Sequence, residues 1–88
     1  MAKENNFIDL VFVVNGEDVD LSKLNIHEPL HAARNKALAD SGNTGRPPAE
    51  WEIRTEAGVL LDPDAKLESL GLKPGTRLFL TLAVGAGG

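Results

Sequence analysis

Apolar residues recur at every second position in Ile8, Leu10, Phe12 and Val14, and the stretch from Phe7 to Val14 reads as a β-strand. Asn15-Gly16 comes next, and a second run, 17–24, carries Val19 and Leu21. Asn-Gly between two such runs is a strong hairpin signal, because both central residues of the tight turn take positive φ. A two-residue loop sets the register: Val14 opposite Glu17, Phe12 opposite Val19, Leu10 opposite Leu21 and Ile8 opposite Lys23. One face then carries Ile8, Leu10, Phe12, Val14, Val19 and Leu21, while Asp18, Asp20 and Ser22 turn to water. Val11 and Val13 fall on the outer face, where the alternation gives no reason for them.

The period then changes. Leu30, Ala33, Ala37 and Leu38 recur at helical spacing, with Arg34, Asn35, Lys36 and Asp40 on the opposite side. Pro29 suits the first helical position, where its missing N–H costs nothing. Ser41-Gly42 stops the helix, with Gly42 as a left-handed cap. The small Ala33 and Ala37 let such a helix lie close against the apolar face of a sheet. Residues 42–48 read as a loop. Trp51–Thr55 reads as a strand with Trp51 in the core, 56–58 as a turn, and 59–61 as a short returning strand. Asp62-Pro63-Asp64 breaks the chain. Leu67, Leu70 and Leu72 supply apolar contacts from a turn or short helix. Lys73-Pro74-Gly75-Thr76 fits a type II turn into a last strand beginning at Arg77. The expected class is α+β: a mixed sheet packed on one helix, with the first and last strands parallel central neighbours.

Composition narrows the chemistry. Eighty-eight residues make one domain, and there is no cysteine, so disulfides, thiolate metal sites and cysteine nucleophiles are excluded. A formal net charge of −4 without a basic cluster argues against nucleic acid. No stretch approaches the roughly 20 apolar residues of a membrane span, and the polar first six residues are unlike a signal peptide, so a cytoplasmic monomer is expected. His27-Glu28-Pro29-Leu30-His31 matches the zinc-protease pattern H-E-x-x-H. That chemistry needs both histidines one turn apart on an unbroken helix; Pro29 starts the helix and leaves His27 outside it, so no metal is expected.

After Arg77-Leu78-Phe79-Leu80-Thr81-Leu82-Ala83-Val84 the chain runs into Gly85-Ala86-Gly87-Gly88. Four such residues reach at most about 13 Å and carry nothing larger than a methyl. A thin leash of this kind suits a narrow channel in another protein. The expected organisation is a disordered lead-in over 1–6, a domain over 7–84 and a flexible tail over 85–88.

These features in order resemble the ubiquitin-like β-grasp family over nearly the whole chain. The resemblance rests on the opening hairpin and on a helix followed by Gly45-Arg46-Pro47-Pro48, similar to ubiquitin's Gly-x-Pro-Pro. It also rests on Leu60-Leu61-Asp62, on 67–76 leading into Leu78-Phe79-Leu80, and on the final Gly87-Gly88. The chain is most similar to bacterial ubiquitin-like proteins found with E1-like and E2-like enzymes. The resemblance implies a protein that is substrate and label, not an enzyme. An E1-like enzyme would use ATP to adenylate the Gly88 carboxylate, and the chain itself would need no cofactor. The acyl group would pass through enzyme cysteines, including one on an E2-like enzyme, to an amine on a target protein. A deconjugating protease would reverse the step. Gly85, Ala86 and Gly87 would be the recognised thread.

Departures from ubiquitin carry their own implications. Ala83, Val84, Gly85 and Ala86 replace the arginines that ubiquitin's activating enzyme reads, so that enzyme is expected to recognise this chain poorly. Arg54 stands at the position of ubiquitin's patch isoleucine, with Thr81 or Leu82 near the patch valine. Arg54, Phe79, Thr81 and Leu82 thus form the expected partner surface, altered from that of ubiquitin. Val59 sits near ubiquitin's best-known chain-forming lysine, leaving Lys3, Lys23, Lys36, Lys66 and Lys73 as candidate acceptors. Two alternatives stay open at this level: a sulfur carrier forming a thiocarboxylate on Gly88, and a non-covalent β-grasp interaction module.

Overall fold

The computed structural model describes residues 6–83. Its elements run β1 (Phe7–Val14), β2 (Glu17–Asn25), α1 (Leu30–Asp40), a 3-10 turn (Pro48–Glu50), β3 (Trp51–Thr55), a second 3-10 turn (Leu67–Leu70) and β4 (Thr76–Leu82). The four strands form one sheet in the order β2-β1-β4-β3. β1 and β4 are parallel central neighbours; the other two pairings are antiparallel. This is the expected α+β β-grasp arrangement, and the parallel pair is joined by a crossover through α1.

The hairpin keeps the expected register from Val14↔Glu17 to Leu10↔Leu21 and then departs from it. Ile8 pairs with Leu24, not with Lys23. Ser22 and Lys23 together oppose Asp9, and Lys23 takes a left-handed φ of 57°. This β-bulge has a packing cause. Without it the period of two would turn Leu24 outward; with it Leu24 joins the core. Asp9 secures the irregularity: its Oδ1 accepts the Lys23 N–H at 2.9 Å, and its carbonyl accepts the Gly75 N–H at 2.7 Å.

Helix α1 begins one residue later than expected. Pro29 is extended, at φ −70° and ψ 154°, and forms an isolated bridge with Lys66. No side chain caps the start. Instead the Leu30 N–H donates to the Ala65 carbonyl at 2.8 Å and the His31 N–H to the Pro63 carbonyl at 2.9 Å. A neighbouring segment thus satisfies donors that every helix start leaves open. At the other end, the Gly42 N–H reaches the Ala39 carbonyl and the Asn43 N–H the Leu38 carbonyl, with Gly42 at φ 79°. That is the Schellman arrangement.

Leu30, Ala33, Ala37 and Leu38 meet the inner face of the sheet as expected, around Leu10, Phe12, Ile53 and Leu78. Arg34 does not follow the expectation: it is buried, whereas Asn35, Lys36 and Asp40 are exposed. On its flank of the helix Arg34 borders a hollow that it shares with Trp51, Ile53, Leu60, Leu61 and Pro63. Residues 59–61 make a single bridge, Arg54↔Leu60, and not a strand. Thr55 N–H to Val59 carbonyl and Leu61 N–H to Ile53 carbonyl are the bonds that hold it. Just ahead of β1, the Asn6 carbonyl accepts the Ile26 N–H at 2.9 Å.

Candidate functional site

The helix covers one face of the sheet, and the other face is open. Strand pairing decides what stands there. Val13 lies beside Asp18 on β2 and Phe79 on β4, and Phe79 lies beside Arg54 on β3, which bridges to Leu60. The next row is Asp20, Val11 and Arg77. Thr81 pairs with Glu52. Val11, Val13 and Phe79 are each half-buried, because β1 and β4 have strands on both sides. This places the two unexplained valines: they form an apolar strip with Phe79 along the middle of the open face.

Charged side chains frame the strip. Arg77 Nη2 lies 2.6 Å from Asp18 Oδ2. Arg54 Nη2 lies 3.1 Å from Glu52 Oε1, and its Nη1 donates to the Gly58 carbonyl at 3.0 Å. The Arg77–Asp18 pair is exposed and the Arg54–Glu52 pair half-buried; surface pairs of this kind are worth roughly 0–1 kcal/mol each, so they orient side chains more than they stabilise the fold. Of the expected partner surface, Arg54, Phe79 and Thr81 come together here. Leu82 does not, since it pairs with Trp51 on the opposite side of the sheet. It lines a separate cavity of about 220 Å³ with Asn15, Asn43, Arg46 and Trp51. Val11, Val13 and Arg77 also belong to the open face; the sequence left the two valines unexplained and did not single out Arg77. The valines' signal was visible as apolar residues at outward positions of a strand; Arg77, a charged residue on a strand, carried none.

The chain leaves the sheet next to that cavity, where the Ala83 N–H donates to the Glu50 carbonyl at 2.9 Å. The tail positions Gly85, Ala86, Gly87 and Gly88 lie outside the described residues, as do Val84 and Lys3. Lys23, Lys36, Lys66 and Lys73 are exposed. His27 lies in the turn ahead of α1, its Nδ1 3.3 Å from Glu68 Oε2, while His31 sits inside the helix. The two histidines therefore do not share a helical face, and no cluster of metal-ligating side chains occurs among the described residues. Among these residues no helix is long and apolar enough to cross a membrane.

The fold is shared with known ubiquitin-like structures. A de novo design based on ubiquitin matches 97% of this chain and 99% of its own, with a TM-score of 0.77 at 17% identity. A structure described as molecular mimicry of SUMO that promotes DNA repair matches 91% of this chain and 96% of its own, with a TM-score of 0.76 at 17% identity. Ubiquitin from Caldiarchaeum subterraneum matches 90% of this chain and 98% of its own, with a TM-score of 0.70 at 25% identity. In sequence, the uncharacterized protein y4jI of Sinorhizobium fredii is 40% identical over 81 residues, which are 92% of this chain. The chain spans 62% of the length of that relative. Residues 3–88 match the family described as a protein of unknown function, DUF2604. The chain thus belongs to the DUF2604 family, built on the ubiquitin-like β-grasp fold.

Proposed function

We propose that this chain is a ubiquitin-like protein modifier, joined to target amines through the carboxylate of Gly88. One observation carries the reading: central strand β4 ends at Leu82, Ala83 is bonded to Glu50, and the sequence then runs Val-Gly-Ala-Gly-Gly. A rigid fold followed by side chains of minimal size is what a closed adenylating site requires. Gly88 would carry the free carboxylate directly or after cleavage of a longer precursor.

The chemistry balances without a cofactor on this chain. The carboxylate attacks the α-phosphorus of ATP, forming an acyl adenylate and releasing pyrophosphate. A cysteine thiolate of the E1-like enzyme displaces AMP to give a thioester. Exchange onto an E2-like cysteine and attack by a target amine release the thiolate and form the amide. The open sheet face with Val13, Phe79, Arg54 and Thr81 is the docking surface for these enzymes in this reading.

The test is expression of an amino-terminally tagged chain in its native cell, examined under denaturing conditions beside a Gly88-deleted control and by intact mass. Higher-mass adducts absent from the control are the expected result. A single species whose mass fits exchange of one carboxyl oxygen for sulfur would replace this reading with a sulfur carrier. Unmodified chain in both samples, with the partner enzymes expressed, would leave a non-covalent module.

A further inference from the structure

The outward side chains of the open sheet face are sorted by charge. Asp18 and Asp20 stand on the edge strand β2, whereas Arg77 and Arg54 stand on β4 and β3. Val11, Val13 and Phe79 run between the acidic and the basic side. All three are half-buried, so part of each apolar side chain stays in water. Asp18 uses its Oδ2 on Arg77, and Asp20 makes no side-chain hydrogen bond or ion pair among the described residues. Glu52 on the basic side is engaged by Arg54 at 3.1 Å.

A face of this kind is complementary to itself. The sheet order is β2-β1-β4-β3. A half-turn about an axis parallel to the strands, midway between β1 and β4, exchanges β1 with β4 and β2 with β3. It leaves each row of side chains at its own height. The row Asp18, Val13, Phe79, Arg54 then meets the same row reversed on a second copy. Each Val13 packs on the second copy's Phe79, and each Asp18 comes opposite the second copy's Arg54. In the neighbouring row Val11 meets the aliphatic stem of Arg77. Two sheets facing one another in this way keep their strands aligned at a spacing of about 10 Å. The half-turn also closes the assembly at two copies, because the same patch is used on both.

We propose that the open face is the interface of a symmetric dimer of this chain. Charge complementarity selects a second copy as the occupant: the acidic and basic sides match each other after the half-turn, and the apolar strip falls on itself. The face measures only about 14 Å from β2 to β3, so the contact belongs to the small, transient class, with a Kd on the order of 1 mM. In dilute solution the chain is the monomer expected from its sequence. The dimer covers the surface assigned above to conjugating enzymes, so the paired form is closed to them. Pairing itself needs neither those enzymes nor the tail.

The test follows the backbone amides of the purified full chain by NMR over concentrations that span this Kd. Val11, Val13, Arg54 and Phe79 should shift together with concentration, while α1 stays unmoved. Asp18→Arg and Arg54→Asp should each weaken self-association by about tenfold or more, since each sets like charges opposite one another at both ends of the interface. A mixture of the two variants restores opposite charges at both ends. Labelled Arg54→Asp chain titrated with unlabelled Asp18→Arg chain should therefore associate, although neither variant does so alone. If Arg54→Asp does not fold, Arg54→Glu takes its place in the mixture. A native chain without concentration dependence, shifts centred on α1, or a mixture that associates no better than its components overturns the dimer. No activating enzyme is present in this experiment. Missing adducts in the cell would leave the dimer standing, and a missing dimer would leave conjugation standing.

Discussion

Lys23 illustrates how a single backbone angle serves packing. Its left-handed φ of 57° costs a residue with a Cβ about 1–2 kcal/mol, and the return is Leu24 in the core. Lys23→Gly should therefore raise stability by about 1 kcal/mol, less the entropy glycine adds to the unfolded chain. Lys23→Val should lower it, since β-branched residues tolerate this region least. Urea midpoints at unchanged slope would check both. Asp9, which accepts the Lys23 N–H, is its counterpart on β1. Asp9→Ala should cost about 0.5–1 kcal/mol, the net worth of an exposed hydrogen bond whose amide water can then take up. Neither role was legible in the alternation, because a bulge is defined by the partner strand and not by the strand that carries it. Arg34 was misplaced for a related reason. Its position on the helical wheel is polar by composition, but in the fold it borders a hollow shared with Trp51, Ile53 and Pro63.

Among the elements, α1 shows two termini solved differently. Its C-terminus is local: Ser41-Gly42-Asn43 contains the whole Schellman arrangement, and it was expected from Gly42 alone. A Cβ at Gly42 would meet nothing within 4 Å, so Gly42→Ala should cost only the backbone term of about 1 kcal/mol, seen as a lower thermal midpoint. The N-terminus is not local. Its donors are met by carbonyls more than thirty residues away, at Ala65 and Pro63, in a segment anchored by buried Leu67. Leu67→Ala should cost about 2–5 kcal/mol. Amide exchange at Leu30 and His31 should accelerate more than elsewhere in α1, because that anchor also positions their acceptors.

At the scale of the molecule, sheet order sets both rigidity and the set of side chains that share the open face. β1 and β4 are paired on both sides, while β2 and β3 are edges. Hydrogen exchange should be slowest in β1 and β4, and Ala83 is carried by the most protected part of the sheet. The open face is where the proposed enzymes would act. Phe79→Ala and Arg54→Glu should reduce adduct formation in the native cell, with the folded amide spectrum intact. An asparagine at Asp18 combined with a glutamine at Arg77, in a double-mutant cycle, should show a coupling of only about 0.2–1 kcal/mol. Strand order itself was within reach of sequence reasoning, since a parallel first and last strand with one crossover helix leaves few topologies.

The sequence by itself determined the elements: period-two and helical spacing placed three of the strands and the helix, Asn15-Gly16 set the hairpin, and Gly42 ended α1. These are local effects, decided by backbone sterics and by which face of an element must leave water. The Gly-Gly end and the absence of cysteine were likewise fully present in the letters. Tertiary structure alone decided the bulge at Lys23, the meeting of Val11, Val13 and Phe79, the separation of Leu82 from Thr81, and the burial of Arg34 beside Trp51. Each depends on residues distant in sequence becoming neighbours, and no local periodicity records which distant residue will arrive.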